Sequence, residues 1–148
     1  MNRTLYRREP GPLPELAHQT TRPVHDEDDA ALAALMERAY AGTIDEQLGG
    51  NSDGAIEIAN WRPHAVPDAS FVIHQDGLVA ASLISRHGND FWLGYVITHP
   101  DWKGRGLGTA VVAASLQALD APVLAAVTDG NTPSERLLAT LGFTLVPR

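Results

Sequence analysis

The 148-residue chain has no cysteine. That absence excludes a disulfide framework, a thiolate zinc site and a cysteine nucleophile. Long hydrophobic runs are missing as well. No segment approaches transmembrane length, and MNRTLYRREPGPLPEL at the start lacks the apolar centre of a signal peptide. No membrane partner is expected, and the expected location is cytoplasmic. Positive charge is scarce: 11 Lys and Arg stand against 18 Asp and Glu, a formal net charge of -7. A surface of that sign does not suit nucleic-acid phosphates, so no nucleic acid is expected as partner. The six histidines, His18, His25, His64, His74, His87 and His99, show none of the close helical spacings of metal ligands, and no metal is expected.

What is present is an ordinary globular composition, 44% hydrophobic and 20% charged. A chain of this length buries roughly two thirds of its unfolded surface, which predicts a single domain over residues 1–148. Arg3, Arg7 and Arg8 followed by Pro10, Pro12 and Pro14 predict an extended N-terminal arm over residues 1–19 without regular structure. A short β-capable segment, Thr20 to Val24, leads into a helix on which Leu32, Leu35, Met36 and Ala39 recur at i, i+3, i+4, i+7, with the acidic run Asp26 to Asp29 at its positive end. Residues 41–69 are irregular apart from a short helix around Ala55 to Trp61.

Three strands follow, Ser70 to His74, Leu78 to Ser85 and Phe91 to Thr98, joined by Asp76-Gly77 and by a turn containing Gly88-Asn89-Asp90. They predict an antiparallel meander. A helix from about Gly106 to Leu119, a strand Pro122 to Val127, a helix with Thr132 as N-cap and Glu135 closing a capping box, and a last strand in FTLVPR complete the order.

The distinctive stretch is HPDWKGRGLGTAVVAA, residues 99–114. A strand running into a glycine-rich turn at a helix start gathers unpaired backbone N–H groups and the positive end of the helix dipole around one point. That arrangement suits a phosphate, with Lys103 and Arg105 adding charge from the side; a plain tight turn with solvated basic residues is the other reading. Two familiar phosphate loops fail on spacing. A dinucleotide fingerprint needs glycine where Thr109 or Val111 stands, and a Walker loop needs a lysine after Gly108.

The stretch Lys103-Gly104-Arg105-Gly106-Leu107-Gly108 resembles motif A of the GNAT superfamily of acetyl-CoA-dependent N-acetyltransferases, Gln/Arg-x-x-Gly-x-Gly/Ala, with lysine in the first place. Asn131-Thr132-Pro133-Ser134-Glu135-Arg136-Leu137-Leu138 and Leu141-Gly142-Phe143 are similar to the same family's motif B. The resemblance implies an α/β (α+β) fold, a mixed and mostly antiparallel sheet splayed between its fourth and fifth strands and flanked by helices. It implies acetyl-CoA as co-substrate, with pantetheine on the backbone of Val96, Ile97 and Thr98, pyrophosphate on the amides from Lys103 through Gly104, Arg105, Gly106, Leu107 and Gly108 to Thr109, and Asn131 touching the cofactor from the other arm. The acceptor would be a primary amine of a small molecule or peptide. One position departs: Leu138 stands where the family usually carries the tyrosine that protonates the leaving thiolate.

An amine with a pKa near 10.4 is neutral in only about one molecule in two thousand at pH 7, a deficit of roughly 4.6 kcal/mol. A group must take that proton, and Phe91 to Thr98 holds no carboxylate or histidine, only Tyr95, on the face opposite Val96 and Thr98. Asp45 and Glu57, in the segment that shapes the acceptor pocket in this superfamily, are the candidates for the ammonium site and proton relay; each also reads as a surface carboxylate. Ser134 is the candidate to relay a proton to the thiolate. Tyr40 and Trp61 are candidates for the pocket wall or for the core. The missing tyrosine keeps open a second function, an acyl-CoA-binding sensor without turnover. A homodimer is expected if the last strand leaves a sheet edge uncovered.

Overall fold

Alternating apolar residues after Ser70 form the three antiparallel strands their spacing predicts, in a computed structural model that describes residues 2–41 and 53–147. In chain order the strands are β1 (Arg3–Arg8), β2 (Arg22–Pro23), β3 (Phe71–His74), β4 (Leu78–His87), β5 (Asp90–Thr98), β6 (Val123–Thr128) and β7 (Thr144–Leu145). The α-helices among the described residues are α1 (Asp29–Tyr40), α2 (Gly54–Trp61), α3 (Leu107–Gln117) and α4 (Thr132–Thr140). One sheet holds all seven strands in the order β2-β3-β4-β5-β6-β1-β7.

Each helix forms where its apolar spacing puts it. Leu32, Leu35, Met36 and Ala39 are buried along one side of α1. They pack with Ile58 and Trp61 of α2 against Val72, Ala81, Leu83 and Ile97 on one face of the sheet. The acidic run before α1 is tied down by arginines: Asp28 accepts from Arg22 at 2.8 and 3.0 Å, and Asp29 accepts from Arg62. On the other face Val112, Ala113 and Leu116 of α3 and Leu138 of α4 pack with Ile84, Leu93, Val123, Ala125 and Val127. At roughly 1.5–3 kcal/mol for each large apolar side chain removed from water, these two layers supply most of the driving force for the fold.

Leu93 and Ile97 belong to opposite layers, although residues four apart on an unbroken strand share a face. The cause is a bulge. Leu83 pairs with Tyr95 and Ile84 with Leu93, so Gly94 is an extra residue on β5. Glycine fits because a Cβ there would stand 3.3 Å from the Leu83 carbonyl oxygen. Beyond the bulge β5 turns away from β6, which it meets in parallel only at Phe91↔Val123 and Trp92↔Leu124. The splay therefore falls between the strands expected to carry it, Phe91 to Thr98 and Pro122 to Val127; they are β5 and β6 here because two strands precede the meander.

The N-terminal segment corrects the sequence reading. Prolines begin only at Pro10, so every residue of Arg3–Arg8 keeps its amide donor, and β1 pairs antiparallel with β6 from Arg3↔Thr128 to Arg8↔Val123 and with β7 at Tyr6↔Leu145 and Arg7↔Thr144. β1 thus covers the edge of β6, and the two-residue β7 becomes the outermost strand on that side of the sheet. Among the described residues the buried Arg8 guanidinium has only carbonyl partners: it donates to Leu141 O at 2.6 Å, Glu9 O at 3.2 Å, Gly11 O at 3.0 Å and Pro12 O at 3.2 Å. Leu141 caps the C-terminus of α4, where a cation is favoured by the helix dipole. A second correction concerns the start of α4. Its N-cap is Asn131, whose Oδ1 accepts from the Ser134 amide at 3.3 Å, and Thr132 is the first helical residue. The asparagine carbonyl oxygen, one bond further from the backbone than a threonine hydroxyl, reaches the amide of the third helical residue, in line with the preference for asparagine at N-caps.

Candidate active site

The glycine loop has the backbone geometry of an anion cradle. Gly106 is the N-cap of α3 in the left-handed region, φ 76°, and Gly104 has φ 78°. A side chain at either is strained by roughly 1–2 kcal/mol, yet a Cβ would meet no protein atom within 4 Å, so the concave side of the loop is open. The first turn of α3 leaves the amides of Leu107, Gly108 and Thr109 without intrahelical acceptors. Lys103 and Arg105 are exposed beside them, and the Arg105 guanidinium lies over the Trp102 ring at 4.6 Å. These are the features a pyrophosphate requires, and the residues present fit it.

The loop adjoins a cavity of about 710 Å³. A Cβ on Gly108 would stand 3.2 Å from Leu137 Cδ1, 3.4 Å from Thr98 Oγ1 and 3.7 Å from Val96 Cγ1. Val96 and Leu137 are also part of the cavity wall, so they join the loop to it. The cavity runs through the opening between β5 and β6. On the α3/α4 side it is bounded by Val96, Ala125, Val127, Asn131, Ser134 and Leu138; on the α1/α2 side by Tyr40, Glu57, Trp61, Tyr95, Thr128 and Arg3. Asn131, Ser134 and Leu138 share one side of α4 by their spacing. Leu138, 2% exposed, brings no hydroxyl to that wall.

On the α1/α2 side the Tyr95 hydroxyl donates to Glu57 Oε2. Burial, then the hydrogen bond and charge of Glu57, push the Tyr95 phenol well above its ordinary value of 10.0. It stays protonated at any working pH, so it serves as a donor that holds the Glu57 carboxylate and not as a base. Trp61 is a core residue with one edge on the cavity: it is 4% exposed and its indole N–H donates to Ile84 O at 3.0 Å.

Of the residues singled out in the sequence, Glu57, Tyr40, Trp61, Val96, Asn131 and Ser134 meet at the cavity. The Ile97 side chain is buried under α1 and α2 and does not line the cavity. Asp45 lies outside the described residues. Sequence reasoning missed Tyr95 as the partner of Glu57, Arg3 as a cavity cation, and the group Asn60, His64, His87 and Trp92. One signal was present: Glu57, Asn60, Trp61 and His64 fall at i, i+3, i+4, i+7. The remainder come from segments far apart in the chain, which no local pattern joins.

The FR47-like protein family matches residues 74–148. In structure the chain is similar to a GNAT-family protein of Novosphingobium aromaticivorans, with 22% identity and a TM-score of 0.67 over 97% of this chain and 60% of that one. It is similar to a GCN5-related N-acetyltransferase of Sphaerobacter thermophilus, with 21% identity and a TM-score of 0.69 over 97% and 48%. A Salmonella typhimurium protein crystallised with its cofactor acetyl-CoA matches with 20% identity and a TM-score of 0.62 over 86% and 80%. These likenesses establish the fold. The chain spans about half to three fifths of the first two of these structures. No curated protein sequence matches it.

Proposed function

The chain belongs to the FR47-like family and carries the GNAT fold, and from that premise we propose that it transfers an acetyl group from acetyl-CoA to a primary amine. One observation carries the reading: a cavity passes through the splayed sheet and joins the wall beside the glycine loop to the Glu57 carboxylate and the Tyr95 phenol hydrogen-bonded to it. Donor and acceptor can therefore meet from opposite faces.

Acetyl-CoA supplies the activated acyl group as a thioester. The chain's own residues hold and orient it. The amides of Leu107, Gly108 and Thr109 with Lys103 and Arg105 take the pyrophosphate, and the β5 backbone from Val96 to Thr98, released from β6 by the Gly94 bulge, takes the pantetheine. Asn131 and Ser134 form the opposite wall. Glu57 binds the acceptor ammonium and receives its proton, directly or through water, while Tyr95 keeps the carboxylate aimed into the cavity. Placing the two reactants in one opening accounts for most of the acceleration. Ser134, four residues before Leu138 on the same side of α4, stands where a proton can pass to the thiolate. A thiol of pKa near 8.5 needs little help to leave.

Calorimetric titration of acetyl-CoA, followed by release of free CoA with a panel of amines, tests this reading. Steady CoA release that depends on an amine supports it. Leu138 favours the second reading, an acyl-CoA-binding module, and binding without release under any amine would establish that one. A cytoplasmic setting and a homodimer belong to the same proposal; imaging of the tagged chain and sedimentation check them.

A further inference from the structure

Beyond Tyr95 the cavity continues along the α1/α2 side to a second group of polar side chains that the acetyl-transfer reading does not use. His64 and His87 meet there with ring centroids 4.4 Å apart and planes inclined by 33°. His64 ends the turn that follows α2, His87 ends β4, and both rings are exposed on the cavity wall with Asn60, Ser85 and Trp92. Among the described residues neither ring has a carboxylate within ion-pair distance, and no group of three or more His, Cys, Asp or Glu is arranged to hold a metal ion.

We propose that His64 and His87 are the subsite for an anionic group at the far end of the acceptor, so that the substrate is an amine carrying a carboxylate or phosphate at peptide-like distance. This rests on the reading of Glu57 as the amine site. Glu57, Asn60, Trp61 and His64 lie along one side of α2 and its continuing turn, which spaces Glu57 and His64 by about 10–12 Å along the axis. A free α-amino acid is too short to span that distance; a dipeptide or a long ω-amino acid is not.

Two imidazoles in contact repel when both are charged, and an anion between them removes the repulsion. Other charges near the pair are accounted for. Asp90 is directly opposite His87 on β5 and is exposed. Arg62 is committed to Asp29 and stacks on Trp61 at 4.7 Å. Arg86 is on the other face of β4, over Phe91. The imidazolium form is the one that attracts an anion, so the preference for an anionic acceptor weakens as the pair loses its protons.

The test compares glycine, aminohexanoate and aminooctanoate with propylamine, hexylamine and octylamine as acceptors; the ratio cancels the deprotonation of the amine for the two longer pairs, and for glycine it is corrected for the lower pKa of its α-amino group. Aminooctanoate is expected to exceed octylamine in kcat/KM by about tenfold or more near pH 6. That advantage should shrink toward pH 9, vanish in the H64Q/H87Q double variant and be absent for glycine over propylamine. An aminoalkyl phosphate preferred over aminooctanoate would identify phosphate as the anion. Equal use of octylamine and aminooctanoate, or an advantage kept by the double variant, overturns the subsite. Calorimetry in two buffers of different ionisation enthalpy gives an independent readout: aminooctanoate binding should take up protons in the wild type and not in the double variant. If no amine is acetylated but this linked uptake is seen, the transfer reading falls and the subsite stands.

Discussion

The two sides of the cleft are built in different ways. In the acetyl-transfer reading, recognition on the α3/α4 side rests on backbone: left-handed glycines, the open amides of a helix start, an unpaired strand edge. On the α1/α2 side it rests on side chains delivered by five separate elements, Arg3 from β1, Tyr40 from α1, Glu57 from α2, His87 from β4 and Tyr95 from β5. A phosphate ester offers the same charge to any protein, so a local loop is enough to hold it. An acceptor amine must be distinguished from others, and that needs groups placed by the whole fold.

Substitutions that damage one side alone sharpen this contrast. The largest effect is expected from Gly106→Glu, which adds strain at φ 76° and sets a carboxylate against the pyrophosphate. Acetyl-CoA affinity should fall by about a thousandfold or more, or roughly 4 kcal/mol, by calorimetry on protein whose circular dichroism is unchanged. Arg8→Met tests the stitch between β1 and the end of α4, because four carbonyls lose their only charged donor; unfolding in denaturant should show a loss of about 3 kcal/mol. A loss below about 1 kcal/mol would mean that β1 holds without it.

Glu57→Gln should lower kcat/KM for the amine by about a hundredfold while acetyl-CoA binding stays as it was. A variant that loses both would join the two sides and end the distinction. Tyr95→Phe is expected to cost about tenfold in the same constant. It also carries a pH signature. The Tyr95 phenol is raised in the folded state above its ordinary 10.0, so its contribution is intact below about pH 10 and is lost as pH rises through the folded value. Removing the phenol should make the alkaline fall in stability shallower, which thermal melts from neutral pH upward would record.

The helices, the meander and the glycine loop were legible in the sequence because each is encoded within a few neighbouring residues, whereas the splay was expected only from the family resemblance. The Lys103 to Gly108 spacing, the i, i+3, i+4, i+7 series in α1 and the Asp76-Gly77 turn are instances, and even the N-cap error at α4 was a shift of one residue between Thr132 and Asn131. Glu57 was legible as a candidate but not as a site, since its partner Tyr95 lies 38 residues further on. The N-terminal strand was misread because prolines at 10, 12 and 14 coloured the reading of residues that contain none.

By itself, then, the sequence determined the local structure and the glycine loop proposed to hold the donor, where short-range hydrogen bonding and glycine stereochemistry decide the outcome. Only the tertiary structure decided that β1 closes the sheet beside β6, that one extra residue at Gly94 opens it beside β5, and that Arg3, Glu57, Tyr95, His64 and His87 share one cavity. Those choices depend on strand register and on burial across long sequence separations, and neither is written in any short stretch of chain.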